Sequence, residues 1–392
     1  MRAMPDLVRR ELVETCRTLV VKVGSNVLTG DDGRIEQSRI EALAAQVARI
    51  QATGRHVIIV SSGAVAAGME VMGLDERPAD LPHLQATAAI GQARLIARYE
   101  RALQTHGVHA AQLLLTAGDL ESRPRYLNVR NTVNTLFEYH VIPVVNENDT
   151  VSTEEIQFGD NDQLAALMAN LVPSPLLVIL TSVDGLYDGD PHAPGSRRID
   201  VVDRWSDELL RLVHDTKTRH GTGGMASKLR AIRAATAVGE SVILCSGLEP
   251  NVLDRVMAGD AVGTLFLAQG AAVPAWKRWI GYSARCRGRI VVDAGACRAL
   301  CRDGRSLLPI GITRVEGRFE RGDVIAVCGP DGGEFARGLT NYGSEDLKRL
   351  AGKRTSAIAE ELGNMPYVEA IHRDNLVITR MPPETLWQQA AG

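Results

Sequence analysis

Apolar segments of strand length alternate with helical segments over the first 268 residues, and this alternation restricts the fold more than any other feature. Thr18–Val23 and His56–Val60 are rich in β-branched residues, whereas Glu36–Ala52 carries apolar residues at helical spacing. Such alternation is typical of a mainly parallel sheet covered by helices on both faces, so we predict an α/β fold. Ligands of these sheets bind beyond the carboxyl ends of the strands. The loops to inspect follow Val23, Val60, Val145 and Leu180.

The pattern changes near residue 268. Gln269–Pro274 is small and flexible, and from Gly281 onward strand-sized segments such as Leu308–Ile310 are separated by turns that contain Gly or Asp. We therefore predict a small β-rich domain after a linker. The expected boundaries are 1–268 for the α/β domain, 269–280 for the linker, 281–366 for the β-rich domain and 367–392 for a C-terminal tail.

Composition excludes several classes of protein. Hydrophobic residues make up 45% and charged residues 23% of the chain, which is the balance of a folded globular protein. Apolar runs such as Leu176–Leu180 are far shorter than the roughly 20 residues of a membrane helix, and the N-terminus lacks the apolar core of a secretory signal. The six cysteines form no C-x-x-C pair, so we expect neither a zinc site nor a disulfide scaffold. These features favour a reduced, cytoplasmic protein without a protein-bound metal.

The charge distribution gives little information about partners. The chain has a net charge of −3, yet residues 277–392 contain 18 Lys and Arg against 14 Asp and Glu. A basic domain can bind nucleic acid, but this excess is small and its arginines are dispersed, which favours an ordinary solvated surface. RNA binding by the small domain stays open on this basis.

Two loops at predicted strand ends have the composition of anion sites. Lys22 interrupts an apolar β-run just before Gly24, where it could contact a phosphate or, as an edge-strand residue, reach solvent. Ser62 and Gly63 lie between a strand and a helix, and could bind a carboxylate or phosphate at the helix N-terminus. An ordinary helix cap explains the second loop equally well.

The acid-and-amide clusters are the most specific signal. Asn146–Asp149 follows a buried strand, and Gly159–Asp162 precedes a helix only ten residues later. Asn and Asp side chains at strand ends can hold a substrate ammonium, orient a lysine or reach a metal through water. The alternative is a pair of Asx turns with a helix cap.

A glycine-rich segment, Gly221–Lys228, leads into another predicted helix. It is not a Walker A loop, and no strand precedes it as a dinucleotide-binding turn requires. A flexible loop that carries a lysine at a helix start suits a nucleotide phosphate, although a structural loop has the same composition. Thr181–Tyr187, after another strand, could line a purine and ribose site or form a simple turn.

These segments together resemble the glutamate 5-kinases of the amino-acid kinase family, in order from about residue 17 to 268. The matching segments are VVKVGSNVLTG (20–30), SSGAVAAG (61–68), VVNENDTV (144–151), FGDNDQLAA (158–166), LTSVDGLY (180–187) and GTGGMASKL (221–229). RSLLPIGI, RGDV and NYGSEDL, within 281–366, resemble the PUA domain that many bacterial members append. Ser182 stands where the family often has Asp, and Ala226 where it often has Ser.

The resemblance implies an amino-acid kinase fold and transfer of the ATP γ-phosphoryl group to the γ-carboxylate of L-glutamate, with Mg²⁺ bound to the ATP, as the first step towards proline. It implies that Lys22 and Lys228 stabilise the transferred phosphoryl group and that Asp162 holds both lysines. The implied substrate-binding residues are Ser62, Gly63, Asp149 and Asn161. The implied ATP-binding residues are Lys22, Gly24, Thr181, Ser182, Thr222, Gly223, Gly224, Met225, Ala226, Ser227 and Lys228.

The resemblance also implies a homo-oligomer, either a dimer or a tetramer, and feedback inhibition by proline, with Asp119 in the loop Thr116–Tyr126 as a regulatory residue. Two other functions stay open. One is a sibling kinase that phosphorylates N-acetylglutamate, aspartate, carbamate or UMP. The other is an RNA-binding protein of the PUA type on an inactive kinase scaffold, against which the intact Lys22, Asp162 and Lys228 argue.

Overall fold

The computed structural model describes residues 7–152, 161–191, 193–210, 212, 224–269, 275–353 and 368–383. The chain divides into two compact units. The first runs to Ala272, apart from Glu121–Arg123, and the second begins at Val273. The expected linker, 269–280, therefore contains this boundary, although its residues 270–274 lie outside the described part.

The first unit is built on a mainly parallel sheet, as predicted. Its strands are β1 (Thr18–Val23), β2 (His56–Ser61), β3 (Ala110–Leu115), β4 (Ile142–Glu147), β5 (Pro175–Thr181), β6 (Val201–Val202), β7 (Val242–Ser246) and β8 (Thr264–Phe266). In the described residues their order is β3-β4-β2-β1-β5-β7-β8-β6, and the β7–β8 pair is antiparallel while the other pairs are parallel. The central strand β1 is buried along its whole length, as expected for a sheet covered on both faces.

Helices connect and cover these strands. They are α1 (Leu7–Thr15), α2 (Ser25–Leu28), α3 (Gln37–Ala52), α4 (Ala64–Met72), α5 (Leu81–Gln104), α6 (Ala117–Glu121), α7 (Arg123–Glu138), α8 (Asn161–Leu171), α9 (Met225–Ala237) and α10 (Val252–Met257). A 3₁₀ turn occupies Asp207–Leu210. The predicted apolar stripe of α3 is buried in the main core, together with residues of α5 and of one face of the sheet.

Two glycines bring α4 and α5 together. A Cβ on Gly68 would overlap the carbonyl oxygen of Thr87, and a Cβ on Gly91 would overlap that of Ala64. Any larger residue at either position would therefore push the helices apart. This close approach fixes α5 relative to the start of α4, which is where a strand-to-helix loop of the predicted site lies.

The second unit has its own sheet and core. Its strands are β9 (Gly288–Val292), β10 (Ile312–Gly317), β11 (Val324–Cys328), β12 (Glu334–Leu339) and β13 (Leu376–Ile378), and its helices are α11 (Ala275–Arg278), a π-helical turn (Trp279–Ser283), α12 (Ala294–Cys301) and α13 (Ser344–Leu350). The strand order is β10-β9-β11-β12-β13. Short 3₁₀ turns occupy Pro309–Gly311 and Arg373–Asn375. The predicted β-rich domain is thus present.

Two details of this domain differ from the sequence-based expectation. Leu308–Ile310 is not a strand, because Pro309 has no N–H to donate to a sheet and Gly311 instead donates to Leu308 O in a 3₁₀ turn. Strand β13 lies in the expected tail, 367–392, and pairs with β12, so the sheet extends past residue 366. Its three apolar residues were too few for a recognisable strand pattern. No helix among the described residues is long and apolar enough to cross a membrane.

Candidate active site

Two lysines converge on one buried aspartate at the carboxyl edge of the large sheet. Lys22 Nζ lies 2.6 Å from Asp162 Oδ1, and Lys228 Nζ donates to Asp162 Oδ2 at 3.1 Å. Ser227 Oγ donates to the same Oδ2 at 2.8 Å. The structure therefore brings together the three residues that were predicted to be catalytic, and adds the hydroxyl of Ser227 to them.

The topology explains why these residues meet. In β1, Leu19, Val21 and Val23 face the core shared with α3 and α5, so Lys22 points to the opposite face of the sheet. Asp162 is in the first turn of α8 and Lys228 in the first turn of α9, and both helices begin at this edge. Lys22 lies between Val60 of β2 and Ile179 of β5, so it is an interior strand residue and not an edge-strand one.

Burial sets the electrostatics of this cluster. Removal from water lowers the pKa of Lys22, and repulsion from Lys228 adds to this, while attraction to Asp162 opposes it. For Asp162, burial alone would raise the pKa, but the combined attraction of the two lysines and the hydrogen bonds from Lys22 and Ser227 lower it overall. The two lysines therefore favour the carboxylate form of Asp162.

Gly24 and Gly63 line the loops beside this cluster. Gly24 donates its N–H to Leu180 O at 3.3 Å, so this N–H is already hydrogen-bonded within the protein. A Cβ at Gly24 would lie 3.8 Å from Lys22 Nζ, in van der Waals contact with it. Gly63 precedes α4 with φ of +107°, a backbone conformation that L side chains rarely adopt.

Amide and hydroxyl groups form a second cluster next to the first. Asn161 Nδ2 donates to Ser62 Oγ at 3.2 Å and to Asn146 Oδ1 at 3.0 Å. The Glu147 N–H donates to Asn146 Oδ1 at 2.9 Å and to Asn161 Oδ1 at 3.2 Å. The loop after β2 and the end of β4 are thereby joined to the start of α8, and Ser62 and Asn161 lie side by side.

Asp149 is held by a residue that sequence reasoning missed. Gln92 of α5 donates to Asp149 Oδ2 at 3.3 Å and to Glu147 O at 3.2 Å. Burial raises the pKa of Asp149, whereas the Gln92 hydrogen bond and the nearby Arg77 partly lower it. The available signal was a polar residue on the apolar stripe of α5, between Ala88 and Leu95. Arg77, in the loop between α4 and α5, gave no comparable signal.

The predicted nucleotide-binding residues lie on the other side of Lys22. Thr181 ends β5, which pairs with β1, and its carbonyl accepts from the Gly247 N–H at 2.8 Å, while Ser182 is exposed. Gly224 precedes α9, whose first residues Met225 and Ala226 are half-buried. Thr222 and Gly223 lie outside the described residues, as do Gly159 and Asp160 of the acidic cluster.

Asp119 lies at the same edge of the sheet, in α6, and has a local structural role. Its Oδ2 accepts from Thr116 N at 2.8 Å and from Thr116 Oγ1 at 2.9 Å, and its Oδ1 accepts from Arg125 at 2.8 Å. The Asn148 N–H donates to Leu115 O at 2.9 Å, so the Asp119 loop and the loop that carries Asp149 begin side by side.

No group of three or more His, Cys, Asp and Glu side chains within the described ranges could hold a metal ion. Both carboxylate oxygens of Asp162 already contact cationic groups. A divalent cation at this cluster would therefore have to be bound mainly by oxygens of a ligand.

Comparison with known proteins matches each of the two units to a different family model. The model of the amino acid kinase family matches residues 17–246, and the model of the PUA domain matches residues 288–362. A curated protein of Rhodopirellula baltica named glutamate 5-kinase is 48% identical over 96% of this chain and 97% of its own length. One of Geobacter sp. with the same name is 47% identical over 94% of this chain and 100% of its own. Among solved structures, a carbamate kinase from Giardia lamblia bound to AMP-PNP is 18% identical, with a TM-score of 0.46, and covers 65% of this chain and 99% of its own.

Proposed function

We propose that this chain, which belongs to the amino acid kinase family, transfers the γ-phosphoryl group of ATP to the γ-carboxylate of L-glutamate. The product would be L-glutamyl 5-phosphate, the first intermediate on the route to proline. The observation that carries the proposal is the pair of lysines held by Asp162 where loops from β1, β2, β4 and β5 meet. The near full-length similarity to curated glutamate 5-kinases supports this substrate over N-acetylglutamate, aspartate, carbamate or UMP.

The chemistry needs charge neutralisation more than proton transfer. The γ-carboxylate of glutamate is ionised at neutral pH, so no general base is required to make it a nucleophile. Two anions must instead approach each other in line while negative charge spreads over the transferred phosphoryl oxygens. Positive groups that are already in position before the reaction are the most effective catalysts for such a step.

In this proposal Lys22 and Lys228 contact the γ-phosphoryl group from two sides. Asp162 does not touch the substrate, and its role is to hold both ammonium groups in position. Ser227 donates to the same Oδ2 that Lys228 contacts, so its hydroxyl would also help to position Asp162. The absence of a side chain at Gly24 leaves room for the phosphate beside Lys22.

Glutamate would lie between α4 and the loop after β4. Its γ-carboxylate would approach the N-terminus of α4 at Gly63, where the helix dipole favours an anion. Ser62 and Asn161 would contact it as hydrogen-bonding groups, and Asp149 would accept from its ammonium group. The carboxylate of Asp149 suits this role because it is only partly exposed and is held by the hydrogen bond from Gln92.

ATP would bind on the β5 and α9 side, near Thr181, Ser182 and the residues 222–228. Mg²⁺ would be held by the phosphate oxygens of ATP, because the described side chains offer no carboxylate cluster for it. When bound, the ion neutralises charge on the β- and γ-phosphates.

The deciding experiment is an acceptor panel with the purified protein, ATP and Mg²⁺, in which hydroxylamine traps any acyl phosphate as a hydroxamate. We expect product with L-glutamate and little with N-acetylglutamate or aspartate, and no consumption of ATP with carbamate or UMP. Turnover of one of the other acceptors in place of glutamate would refute the proposed substrate. A protein without any turnover that binds RNA would support the inactive-scaffold alternative.

A further inference from the structure

Gln92 uses the full hydrogen-bonding capacity of its side-chain amide. It is 8% exposed and lies on the core-facing side of α5. Besides donating to Glu147 O and Asp149 Oδ2, it accepts at Oε1 from Asn146 Nδ2 at 3.3 Å and from Gln112 Nε2 at 3.4 Å. One side chain thus ties α5 to β3, to β4 and to the loop after β4.

We propose that Gln92 is a positioning residue that sets the location and the charge of Asp149 for the substrate ammonium group. This inference rests on the proposed function, because Asp149 is the group that would receive that ammonium. Asp149 lies two residues beyond the end of β4, in a loop, whereas Gln92 lies in the interior of a 24-residue helix. The helix therefore supplies the fixed position that the loop carboxylate lacks by itself.

The geometry favours positioning over simple packing. A glutamine placed only to fill space would bury its amide at a cost unless hydrogen bonds compensated it, and a leucine would fill the same volume without that cost. The amide nitrogen and the amide oxygen of Gln92 both form hydrogen bonds with residues at the end of β4 or in the loop that follows it. Gly91, its neighbour, packs against the start of α4, so the backbone at this position has little freedom to move.

The charge of Asp149 depends on few neighbours. The groups that face it are Arg77, from the loop between α4 and α5, and Gln92, from α5. Burial raises the pKa of Asp149, and these two groups oppose that rise. Removal of the Gln92 amide should therefore make Asp149 easier to protonate, and a carboxylate in place of the amide should do so more strongly.

The test compares three variants of the full chain. Gln92→Leu removes the hydrogen bonds at similar volume, and Gln92→Glu keeps an acceptor for Asn146 and Gln112 but places a carboxylate against Asp149. Gln85→Leu is the matched control, since Gln85 lies on the same helix and donates to Ser152 O at 3.0 Å without contacting Asp149. The readouts are KM for glutamate and for ATP, kcat, and the pH dependence of kcat/KM for glutamate, with thermal denaturation to confirm folding.

For both Gln92 variants we expect KM for glutamate to rise tenfold or more, a change equivalent to about 1.4 kcal/mol, while KM for ATP and kcat change less than threefold. The acidic limb of kcat/KM should move to higher pH, further in Gln92→Glu than in Gln92→Leu. The substrate's own carboxylates titrate identically in every variant, so they cannot cause this movement. Gln85→Leu should match the wild type.

Other results would overturn the inference. Equal increases in both KM values, or an acidic limb that stays at the wild-type pH, would show that Gln92 is a packing residue. A wild-type protein that turns over no glutamate would refute the proposed function and this inference together. A wild type active on glutamate whose Gln92 variants behave like Gln85→Leu would refute the inference alone.

Discussion

Replacement of Asp162 by asparagine would remove the anion between the two site lysines while keeping the size of the side chain. The lysines contact its two oxygens at 2.6 and 3.1 Å, and all three groups are buried. Breaking a buried ion pair costs about 3–5 kcal/mol because a charge is left uncompensated. In this variant the uncompensated charge would displace or deprotonate the lysines. We therefore expect kcat to fall roughly 10²- to 10³-fold, which is the effect of losing one preorganised electrostatic contact.

The same variant should change the pH dependence of catalysis. Burial already lowers the pKa of Lys22, and attraction to Asp162 is what opposes that fall. Without the carboxylate, Lys22 should lose its proton at lower pH than in the wild type. Since the ammonium form is the one that stabilises phosphoryl charge, activity should decline on the alkaline side at a lower pH than it does in the wild type.

The measurement is the steady-state rate of ADP release with saturating ATP and glutamate, from neutral to alkaline pH. Asp254→Asn is the matched control, because Asp254 pairs with Arg49 at 2.6 Å on the exposed surface, where such pairs contribute about 0–1 kcal/mol. It should leave the rate and the profile unchanged. If Asp162→Asn keeps kcat within threefold of the wild type and its alkaline limb does not move, the ion-pair cluster is structural and the catalytic assignment is wrong.

Three further outcomes are expected, two from the same geometry and the third from the resemblance to glutamate 5-kinases. Lys22→Ala and Lys228→Ala should each lower kcat by about 10²-fold or more with the fold intact, measured by ADP release and circular dichroism; near-normal kcat would make that lysine structural. Asn161→Ala should raise KM for glutamate far more than KM for ATP, and equal changes would indicate collapse of the whole site. Asp119→Asn should weaken inhibition by proline, measured as the half-inhibitory concentration at fixed glutamate, by up to about tenfold. An unchanged value, or a wild type that proline does not inhibit, would remove Asp119 from regulation and leave its contacts with Thr116 and Arg125 as purely structural.

The sheet could be predicted from local signals in the sequence, whereas the lysine cluster was predicted from the resemblance to the amino-acid kinase family. Apolar strands and amphipathic helices are recognisable one by one, and their alternation determines the parallel sheet. Lys22 is conspicuous because an ammonium in a fully buried strand needs a partner. The resemblance to the amino-acid kinase family implied that Asp162 and Lys228 lie beside it, and the structure brings the three side chains together.

The sequence could not predict which polar groups pair across large separations. Gln92 forms hydrogen bonds with residues more than 50 positions away, and no spacing pattern in the sequence predicts such bonds. The hydrogen bond from the Gly24 N–H to Leu180 O joins the residue after β1 to β5, so it too depends on the tertiary structure. Strand β13 was not predicted because a three-residue apolar run gives no usable periodicity. Its strand conformation depends instead on pairing with β12.

The close contact between α4 and α5 has a consequence for substrate choice. Gly91 fits against Ala64 only because it has no side chain, so the start of α4 and the adjacent Gln92 are held at one fixed separation. In the proposed binding mode, the start of α4 and Asp149, which Gln92 holds in place, receive opposite ends of the amino acid. An amino acid shorter by one methylene group, such as aspartate, could then bind at one of these positions or the other but not at both at once. Selection by the length of the amino-acid substrate would thus depend on Gly68 and Gly91, neither of which contacts the substrate in this binding mode. A larger residue at either position should relax that selection.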